Sequence, residues 1–592
     1  MTGVTGRRVV YSLGYLLDAL VDAGLFDAES RRKVLERAVA LGVDPAADGG
    51  LDFLLGLGIR LRSRGGEGMR LTEEQVLRAV GLREGVEVRR VSPLDVEFDP
   101  KARAVSESFA RSNLLVPLGF QDGQLELLVH NPFRPELWSD MERVSPPPYR
   151  IALGVRSDIE RLIDDFYGFR AALTAAEAQF SAGTDLGNLE ARVQVAEKVD
   201  ADSEQHVIKA VDYLLRSALR ERASDIHLEP KREGGRIRFR IDGILHDVHR
   251  IPATVYAAMM NRLKGMSRLD ISEKRRPQDG RVQLMLAGTP TDVRVSTIPV
   301  AFGEKMVLRL LSSHTTLKSP EELGMTPEQL ALFTRFVRST HGLILVTGPT
   351  GSGKSTTLYS TLKTLASPQV NIVTLEDPIE MVVDEFNQVG IQTRIGVTFG
   401  GMLRHLLRQD PDIIMVGEMR DLETAEQAVQ AALTGHLVFS TLHTNDAASA
   451  LTRLLDLGLA AYLINAAVIG IIAQRLVRVI CPYCKESVPV DLAQMRVLGL
   501  ERFFADTTLV WRGRGCEACR GTGFLGRQGI FEVLPLDTPL KDAVRRGVDL
   551  AELRAMVRAQ GIPSLLEDGM ARVVAGITTV DEVLRVAGSA ED

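Results

Sequence analysis

The chain is poor in cysteine and in aromatic residues, and it has no long hydrophobic run. Only four of its 592 residues are cysteine, and 5% are aromatic. The strongest apolar stretch, residues 466–473, is far shorter than the ~18 to 20 residues that a membrane-spanning helix requires. Residues 9–25 are amphipathic and are interrupted by Asp18 and Asp22, unlike the smooth apolar core of a signal peptide. The sequence therefore predicts neither a membrane span nor a leader, and we expect a cytoplasmic protein.

The chain also lacks a strong excess of charge of either sign. It has 71 basic and 77 acidic residues, and its formal net charge is −6. Such a chain has no general attraction to a polyanion, and its low aromatic content gives few surfaces on which bases could stack. We therefore expect no nucleic-acid partner. The length is sufficient for about three to five domains of roughly 150 residues each.

The four cysteines fall in two C-x-x-C pairs, Cys481 with Cys484 and Cys516 with Cys519. Four thiolates in this arrangement can surround one tetrahedral Zn²⁺ ion at about 2.3 Å. Because disulfides are disfavoured in a cytosolic chain, the pattern predicts a structural zinc site, with unligated or redox-active thiols as the alternative. A catalytic zinc does not fit, because four cysteines leave no open position for water.

A glycine-rich segment follows the apolar run at residues 343–346. It matches the G-x-x-x-x-G-K-[ST] pattern of a phosphate-binding loop between a strand and a helix. The glycines allow a turn in which successive N–H groups converge on phosphate oxygens, and the helix start adds its positive dipole end. We expect Lys354 to bridge the β- and γ-phosphates of ATP and Ser355 to offer its hydroxyl to Mg²⁺. The alternative is a glycine-rich turn that binds nothing. The predicted nucleotide-binding residues are Gly348, Pro349, Thr350, Gly351, Ser352, Gly353, Lys354, Ser355 and Thr356.

Short buried-type strands alternate with helical segments from residue 323 onward. The strands are predicted at residues 343–347, 372–375, 413–416 and 437–441. This alternation is typical of an α/β fold, in which helices cover both faces of a parallel sheet. Phosphate should then bind at the carboxyl edge of the sheet.

Acidic residues and a histidine follow three of these strands. Glu376 and Glu380 follow the second strand, Glu418 follows the third and His443 the fourth. Because the carboxyl ends of parallel strands meet at one edge, we expect these side chains to share a crevice with the phosphate loop. Hydrolysis needs a held metal ion and an oriented water. Glu418 could hold Mg²⁺ through water or polarise the attacking water, Glu376 or Glu380 could do the latter, and His443 could sense the γ-phosphate. The alternatives are helix-capping or solvated acids and, for His436, either support of His443 or a buried ring bonded to a backbone carbonyl.

Changes of pattern divide the chain into parts. The predicted parts are a helical region at 1–83, a mixed α/β adaptor domain at 84–169, a linker rich in Ala, Glu and Gly at 170–201, a second mixed domain at 202–320, and an α/β domain at 321–592 that includes the cysteine module at 478–532 and helices at 536–592. A capping-box pattern at residues 72–75 predicts one helix start in the first part.

The motifs together resemble those of the assembly ATPase family of type II secretion and type IV pilus systems. The segments that carry the resemblance are the phosphate loop, the cysteine module and residues 222–230, 236–243, 276–281, 294–297, 376–380, 417–421 and 440–445. The resemblance covers about residue 85 to the end of the chain. It implies a RecA-like P-loop ATPase core, a PAS-like N-terminal lobe, a zinc tetracysteine module, and helical and mixed adaptor domains before them.

The resemblance also implies a homo-hexameric ring in peripheral contact with the cytoplasmic face of the inner membrane. Its implied partners are an inner-membrane platform protein and a cytoplasmic-facing pilot protein. Nucleotide would lie between two lobes, and arginines of the N-terminal lobe would reach the phosphates within one subunit or from a neighbour. The arginines that match are Arg281, Arg294 and Arg309. Their alternation along strands leaves open that they are simply a solvated sheet face.

The N-terminal region departs from the pattern of some relatives. Those relatives carry an Arg-Leu-Gly motif that binds cyclic di-GMP. Here Ser12 stands in the place of the arginine, which removes a bidentate phosphate contact. The sequence thus argues against cyclic di-GMP binding and favours a domain that docks onto a membrane-platform partner.

The predicted function is an ATPase that couples hydrolysis to assembly of a pilus or a secretion pseudopilus. Within the family the alternative is a pilus-retraction motor, although relatives of that type are shorter and lack the tetracysteine module. Alternatives of other classes are a RecA-like nucleic-acid motor and a nucleotide-binding scaffold without turnover.

Overall fold

The computed structural model of the protein describes residues 11–59, 61, 71–91, 105–145, 148–182, 201–286, 288–312, 317–504 and 509–588. The chain divides into two compact units. The first comprises Met1–Ser312, Cys481–Glu486 and Gly513–Gly523, and the second comprises Ser313–Ile480, Ser487–Arg512 and Phe524–Asp592. Within the described residues, no helix has the length and hydropathy needed to cross a membrane.

The described part of the first unit begins with helices around an apolar core. These are α1 (Leu13–Asp22), α2 (Ala28–Ala40), α3 (Gly50–Gly56) and α4 (Glu73–Glu84). Leu16, Leu20 and Val76 are fully buried in this core. The Thr72 side chain caps α4 and the Gln75 side chain bonds back to it, as the capping-box pattern predicts.

A three-stranded sheet with helices follows. Its elements are α5 (Glu107–Asn113), β1 (Leu115–Gln121), β2 (Gln124–Val129), α6 (Pro135–Val144), β3 (Tyr149–Leu153) and α7 (Arg156–Ile163). Strand β2 lies in the centre, antiparallel to β1 and parallel to β3. Leu127, Trp138 and Ile159 belong to its buried core.

The predicted linker at 170–201 is wrong in its first part, which is helical. A π-helix spans Asp164–Arg170 and α8 spans Ala171–Ala182. Leu173 and Ala176 are buried against the helix that begins at Ala201. Because the segment is rich in small alanines, its hydrophobicity shows little periodicity even though alanine has the highest helix propensity. Residues 183–200 of the predicted linker lie outside the described residues.

A six-stranded antiparallel sheet completes the main part of the first unit. Its elements are α9 (Ala201–Arg220), β4 (Asp225–Lys231), β5 (Gly234–Ile241), β6 (Ile244–Ile251), α10 (Ala253–Met266), β7 (Gln278–Leu286), β8 (Thr289–Val300) and β9 (Gly303–Ser312). The strand order is β6-β5-β4-β9-β8-β7. Phe239, Val293 and Leu308 pack on the helices from one face. Since side chains alternate along a strand, the other face carries the charged residues.

The second unit is built on a seven-stranded sheet. The described elements from residue 317 are α11 (Pro320–Leu323), α12 (Pro327–Val337), β10 (Gly342–Thr347), α13 (Lys354–Leu365), β11 (Ile372–Glu376), β12 (Asn387–Gly390), α14 (Phe399–Leu406), β13 (Ile413–Val416), α15 (Leu422–Leu433), β14 (Leu437–Leu442), α16 (Ala447–Asp456), α17 (Ala461–Ala467), β15 (Val468–Ile480), β16 (Lys485–Pro489), α18 (Leu492–Val497), β17 (Leu509–Gly513), β18 (Phe524–Pro535), α19 (Thr538–Arg546), α20 (Leu550–Ala559), α21 (Leu565–Val574) and α22 (Val580–Ala587).

The order of this sheet is β12-β11-β13-β14-β10-β15-β18. All neighbouring strands are parallel except β15 and β18, which form an antiparallel edge that the sequence did not reveal. Apolar clusters lie on both faces, with Leu345 in one and Ile344 in the other. The prediction of a parallel sheet covered on both faces therefore holds for the six strands from β12 to β15.

The cysteine module differs from the prediction in its grouping. The sequence places the whole module within residues 321–592, but the loops Cys481–Glu486 and Gly513–Gly523 group with the first unit. The Arg520 guanidinium lies 2.5 Å from the Glu221 carboxylate and donates a 3.0 Å hydrogen bond to the Glu221 carbonyl oxygen. A contact between residues so distant along the chain has no local sequence signal.

Candidate active site

The phosphate loop lies between β10 and α13, where the sequence predicts it. Gly348 and Gly353 have φ angles of 153° and 90°, values that favour glycine. A Cβ at Gly348 would lie 2.5 Å from the Ser352 hydroxyl and 2.6 Å from the Gln474 carbonyl oxygen. The glycines therefore serve both the turn and its close packing against β15.

The Lys354 side chain folds over this loop. Its Nζ donates hydrogen bonds of 2.7 Å to the Gly348 carbonyl oxygen and 3.1 Å to that of Pro349. Burial lowers the pKa of Lys354 to about 8, and the charge of Arg475 acts in the same direction, whereas Glu418 and Glu380 raise it. The Lys354 ammonium is therefore repelled by a second cation, Arg475, and attracted by two acids, Glu418 and Glu380.

The remaining loop residues divide into an exposed and a buried set. Thr350, Gly351 and Thr356 are exposed and Ser355 is half-buried. The Ser352 hydroxyl is buried and, among the described residues, has no hydrogen-bond partner. A buried hydroxyl without a partner is costly, and a phosphate oxygen would satisfy it. The residues present therefore fit the nucleotide that the motif predicts.

Glu418 and His443 lie together at the ends of the neighbouring strands β13 and β14. Oε2 of Glu418 is 3.5 Å from Nε2 of His443, and the other oxygen pairs with Arg420. Glu418 is 13% exposed and His443 is 50% exposed. Burial, followed by the charge of Lys354, lowers the pKa of His443, so the ring is neutral at pH 7. The structure thus brings together two of the predicted catalytic side chains, an acid and a neutral imidazole.

The structure separates the other predicted groups. Glu376 is buried, and its oxygens accept hydrogen bonds from the hydroxyls of Tyr359 and Thr374 and from the amide of Gln388. Glu380 is exposed, and its charge acts on Lys354. For His436, the structure matches the alternative of a ring bonded to a backbone carbonyl. Its Nδ1 lies 2.9 Å from the carbonyl oxygen of Ala431.

The three predicted arginines form one row across the antiparallel sheet of the first unit. Arg281 pairs in register with Arg294, and Arg294 pairs with Arg309. Paired residues of antiparallel strands share a face, so all three side chains lie on the charged face. Asp292 bonds Arg281 at 2.7 Å and Asp225 bonds Arg309 at 2.9 Å. Arg281 and Arg309 are about half exposed, which agrees with a sheet face that is open to solvent.

Two residues behind the phosphate loop were missed by sequence reasoning. Gln474 accepts a 2.8 Å hydrogen bond from the Thr357 hydroxyl, and the Arg475 guanidinium lies against Gly348. Both belong to β15. In the sequence they are two adjacent polar residues within an otherwise apolar strand. This pattern could have indicated them, because a buried polar group needs a hydrogen-bond partner.

The four cysteines form one buried cluster with the geometry of a metal centre. Their sulfur atoms lie within 4.8 Å of one another, with separations of 3.7 Å for Cys481–Cys516 and for Cys516–Cys519 and 3.8 Å for Cys484–Cys519. Four ligands about 2.3 Å from a central ion define a tetrahedron with edges of about 3.8 Å. The Cys519 sulfur accepts hydrogen bonds from the backbone N–H of Cys516 and Gly523.

The strand, glycine-rich loop and helix, with Glu418 at the end of a nearby parallel strand, define a P-loop nucleoside triphosphatase. A family model described as Type II/IV secretion system protein matches residues 200–585, and a model described as MshEN domain matches residues 85–173.

Individual relatives match most of the chain. The Type IV pilus assembly ATPase TfpB of Acinetobacter baylyi is 41% identical over 505 residues, which cover 85% of this chain and 86% of that protein. Type II secretion system protein E of Xanthomonas campestris pv. campestris is 39% identical over 507 residues, covering 85% and 88%. Type II secretion system protein E of Aeromonas hydrophila is 40% identical over 482 residues, covering 81% and 95%. The chain therefore belongs to the type II/IV secretion system protein family and is an ATPase. The predicted family and fold class are confirmed.

Proposed function

We propose that this ATPase powers the assembly or extension of a type IV pilus or of a type II secretion pseudopilus. The observation that carries the proposal is its similarity, along 85% of its length, to proteins named pilus assembly ATPase and type II secretion system protein E. The phosphate loop and the Glu418–His443 pair supply a site suited to hydrolysis. Which of the two filament types is served depends on parts of the machine that lie outside the motor.

Nucleotide binding would replace the acceptors of Lys354. The β- and γ-phosphate oxygens would take the place of the Gly348 and Pro349 carbonyl oxygens, while the backbone N–H groups of the loop and the Ser352 hydroxyl would donate to the phosphates. Ser355, the second residue of α13, would hold Mg²⁺ with its hydroxyl. The ion would neutralise the negative charge that develops between the β- and γ-phosphates.

Glu418 would orient the attacking water. The water would donate a hydrogen bond and then its proton to the carboxylate as its oxygen forms a bond to the γ-phosphorus and the bond from the γ-phosphorus to the β-phosphate oxygen breaks. His443 contacts the same carboxylate from β14 and would hold it in place. Arg281, Arg294 and Arg309 would stabilise charge on the γ-phosphoryl group, from the same subunit or a neighbour, because a guanidinium fork matches its oxygens.

The assembly would be a homo-hexamer at the cytoplasmic face of the inner membrane. Its partners would be the inner-membrane platform protein and the cytoplasmic-facing pilot protein. The four cysteines would hold one structural Zn²⁺, which the 3.7–3.8 Å sulfur separations support. At the N-terminus Ser12 caps α1, its side chain accepting from the Tyr15 N–H at 3.3 Å, which supports a structural role at the position where cyclic di-GMP binders have arginine.

A stimulated ATPase assay tests the proposed function. We expect phosphate release by the full-length protein to rise with acidic phospholipid vesicles and the cytoplasmic domain of a platform protein. Lys354→Ala should abolish the signal, which excludes a contaminating ATPase. Stimulation by single-stranded DNA alone would overturn the proposal in favour of a nucleic-acid motor. Bound ATP without release in any condition would favour a regulatory scaffold.

A further inference from the structure

Arg475 is a buried cation in the middle of β15. Its side chain is mostly covered, with 8% of the residue exposed. The guanidinium Nη2 donates to the carbonyl oxygen of Asn445 at 2.9 Å and lies 3.2 Å from its side-chain oxygen. Nη1 donates to the Gln474 carbonyl oxygen at 3.1 Å, and Nε donates to that of Val586 at 3.2 Å. One guanidinium therefore binds the loop after β14, its own strand and helix α22.

The same guanidinium lies against the phosphate loop. A Cβ at Gly348 would be only 3.1 Å from its Nη1. Gly348 in turn provides the carbonyl oxygen that accepts from Lys354. On the other side, Asn445 is two residues from His443. Arg475 thus lies between the start of the phosphate loop and the segment that carries the histidine of the Glu418 pair.

The burial of this charge is expensive, which argues for a specific role. Within the described residues its hydrogen-bond acceptors are carbonyl and amide oxygens rather than a carboxylate. The negative charges of Asp446 and Glu532 act on it from nearby and only partly offset burial, which lowers its pKa. An apolar side chain would fill a central strand at lower cost, because a buried charge must be desolvated. A planar fork with five donors is what can hold three carbonyl groups at fixed angles.

We propose that Arg475 is a positioning residue for ATP hydrolysis, which holds Asn445, and through it His443, at a fixed spacing from Gly348. The inference rests on hydrolysis at the proposed site. Arg475 itself touches neither the substrate nor the reacting atoms. The guanidinium is itself held by the end of α22, because its Nε donates to the Val586 carbonyl oxygen.

A second link joins the same segments without involving Arg475. The Thr347 hydroxyl accepts from the Thr444 N–H at 3.1 Å. This bond joins the end of β10 to the residue next to Asn445. Loss of the guanidinium therefore relaxes the spacing without releasing the loop, and the expected loss is in turnover rather than in folding.

Steady-state kinetics of the full-length protein test the inference with matched variants. In Arg475→Lys and Arg475→Gln we expect kcat to fall about 100-fold, the effect of misplacing catalytic groups by about 1 Å, with a far smaller change in ATP affinity. Arg478→Gln is the control, since Arg478 lies on the same strand and bonds α22 through Glu582, with no bond to Asn445. This variant weakens the attachment of α22 while keeping the bonds of Arg475 to Asn445 and Gln474, so we expect its kcat to fall far less than that of the Arg475 variants.

The outcomes separate the inference from the function on which it rests. An active wild type matched in kcat by both Arg475 variants would overturn the inference alone, and so would a loss confined to ATP affinity. A wild type without ATPase activity would overturn the proposed function as well. If the Arg475 variants fail to fold, Asn445→Ala decides, because it removes one acceptor of the guanidinium. We expect kcat to fall roughly tenfold in that variant, and unchanged kcat would contradict the inference.

Discussion

Oε2 of Glu418 lies 3.5 Å from Nε2 of His443, at the ends of two adjacent parallel strands. We expect Glu418→Gln to bind ATP normally and to lose about 100-fold or more in kcat, since an amide cannot accept a proton from water. Binding is measured by calorimetry and turnover by phosphate release. Turnover at the wild-type rate would remove Glu418 from the role proposed for it.

Glu376 provides a contrast within the same sheet. Its carboxylate accepts hydrogen bonds from Tyr359, Thr374 and Gln388 in the interior. In Glu376→Gln one or more of these donors loses its acceptor, and we expect a loss of about 1 to 3 kcal/mol in the free energy of unfolding. Thermal unfolding and kcat are measured on the same preparation. A large loss of kcat at unchanged stability would instead support the catalytic role that the sequence suggested for Glu376.

The arginine row predicts an effect on turnover that is separate from nucleotide binding by the phosphate loop. We expect Arg281→Ala and Arg309→Ala each to lower kcat, by up to roughly 1,000-fold if the side chain acts as an arginine finger. Arg236→Ala is the control, because Arg236 lies on the same sheet face and pairs with Asp247 at 2.9 Å. Equal activities in all three variants would favour the alternative that the row is only a solvated surface.

Metal removal should act on the cysteine module and leave the phosphate loop intact. We expect the purified protein to contain about one zinc ion per chain, and Cys484→Ser to contain less. Loss of the metal should make the loops around Cys481 and Cys516 sensitive to protease, because their backbones depend on the cluster. ATP binding should persist. Metal analysis that finds no zinc in the wild type would contradict this assignment.

His130 predicts a loss of stability in mild acid. Burial, with smaller contributions from Arg156 and Arg134, lowers the pKa of this histidine to about 4 from its usual value of 6.5. The unfolded chain therefore takes up a proton between pH 6.5 and 4 that the folded chain excludes. Stability from this group is complete above pH 6.5 and is lost as pH falls toward 4, by about 3 kcal/mol in total.

Thermal scans at pH 7.5 and pH 5 test the prediction for His130. We expect His130→Gln to show a smaller drop in melting temperature between the two pH values than the wild type. Because the comparison is between slopes, an overall change in the stability of the variant does not affect it. Parallel slopes would show that His130 does not titrate in this range.

The sequence predicts those parts of the structure that have a local cause. The phosphate loop follows from glycine spacing, and the start of α4 follows from the reciprocal bonds of Thr72 and Gln75. The parallel strands follow from short apolar runs that alternate with helices. Each of these patterns is complete within about a dozen residues, so a single segment suffices to recognise it.

Partners that lie far apart along the chain could not be predicted in this way. Glu376 ends β11 and Glu418 follows β13, yet tertiary packing brings Tyr359 and Gln388 to the first acid and a histidine to the second. In the sequence Arg475 is only a charged residue within a strand, and it is the fold that brings the carbonyl oxygens of Asn445 and Val586 to its guanidinium. The helix at Ala171–Ala182 was missed because its small side chains gain their burial from α9, which lies outside the segment.

Strand β15 constrains how this protein can change in evolution. It spans 13 residues, from Val468 to Ile480, and ends one residue before Cys481, with a shift in its register against β18 between Arg478 and Ile480. Since side chains alternate along a strand and the register with β18 is regular from Gly470 to Arg478, inserting or deleting one residue between Gly470 and Arg475 would turn the guanidinium to the wrong face. Length variation among homologues should therefore be absent from this stretch of β15.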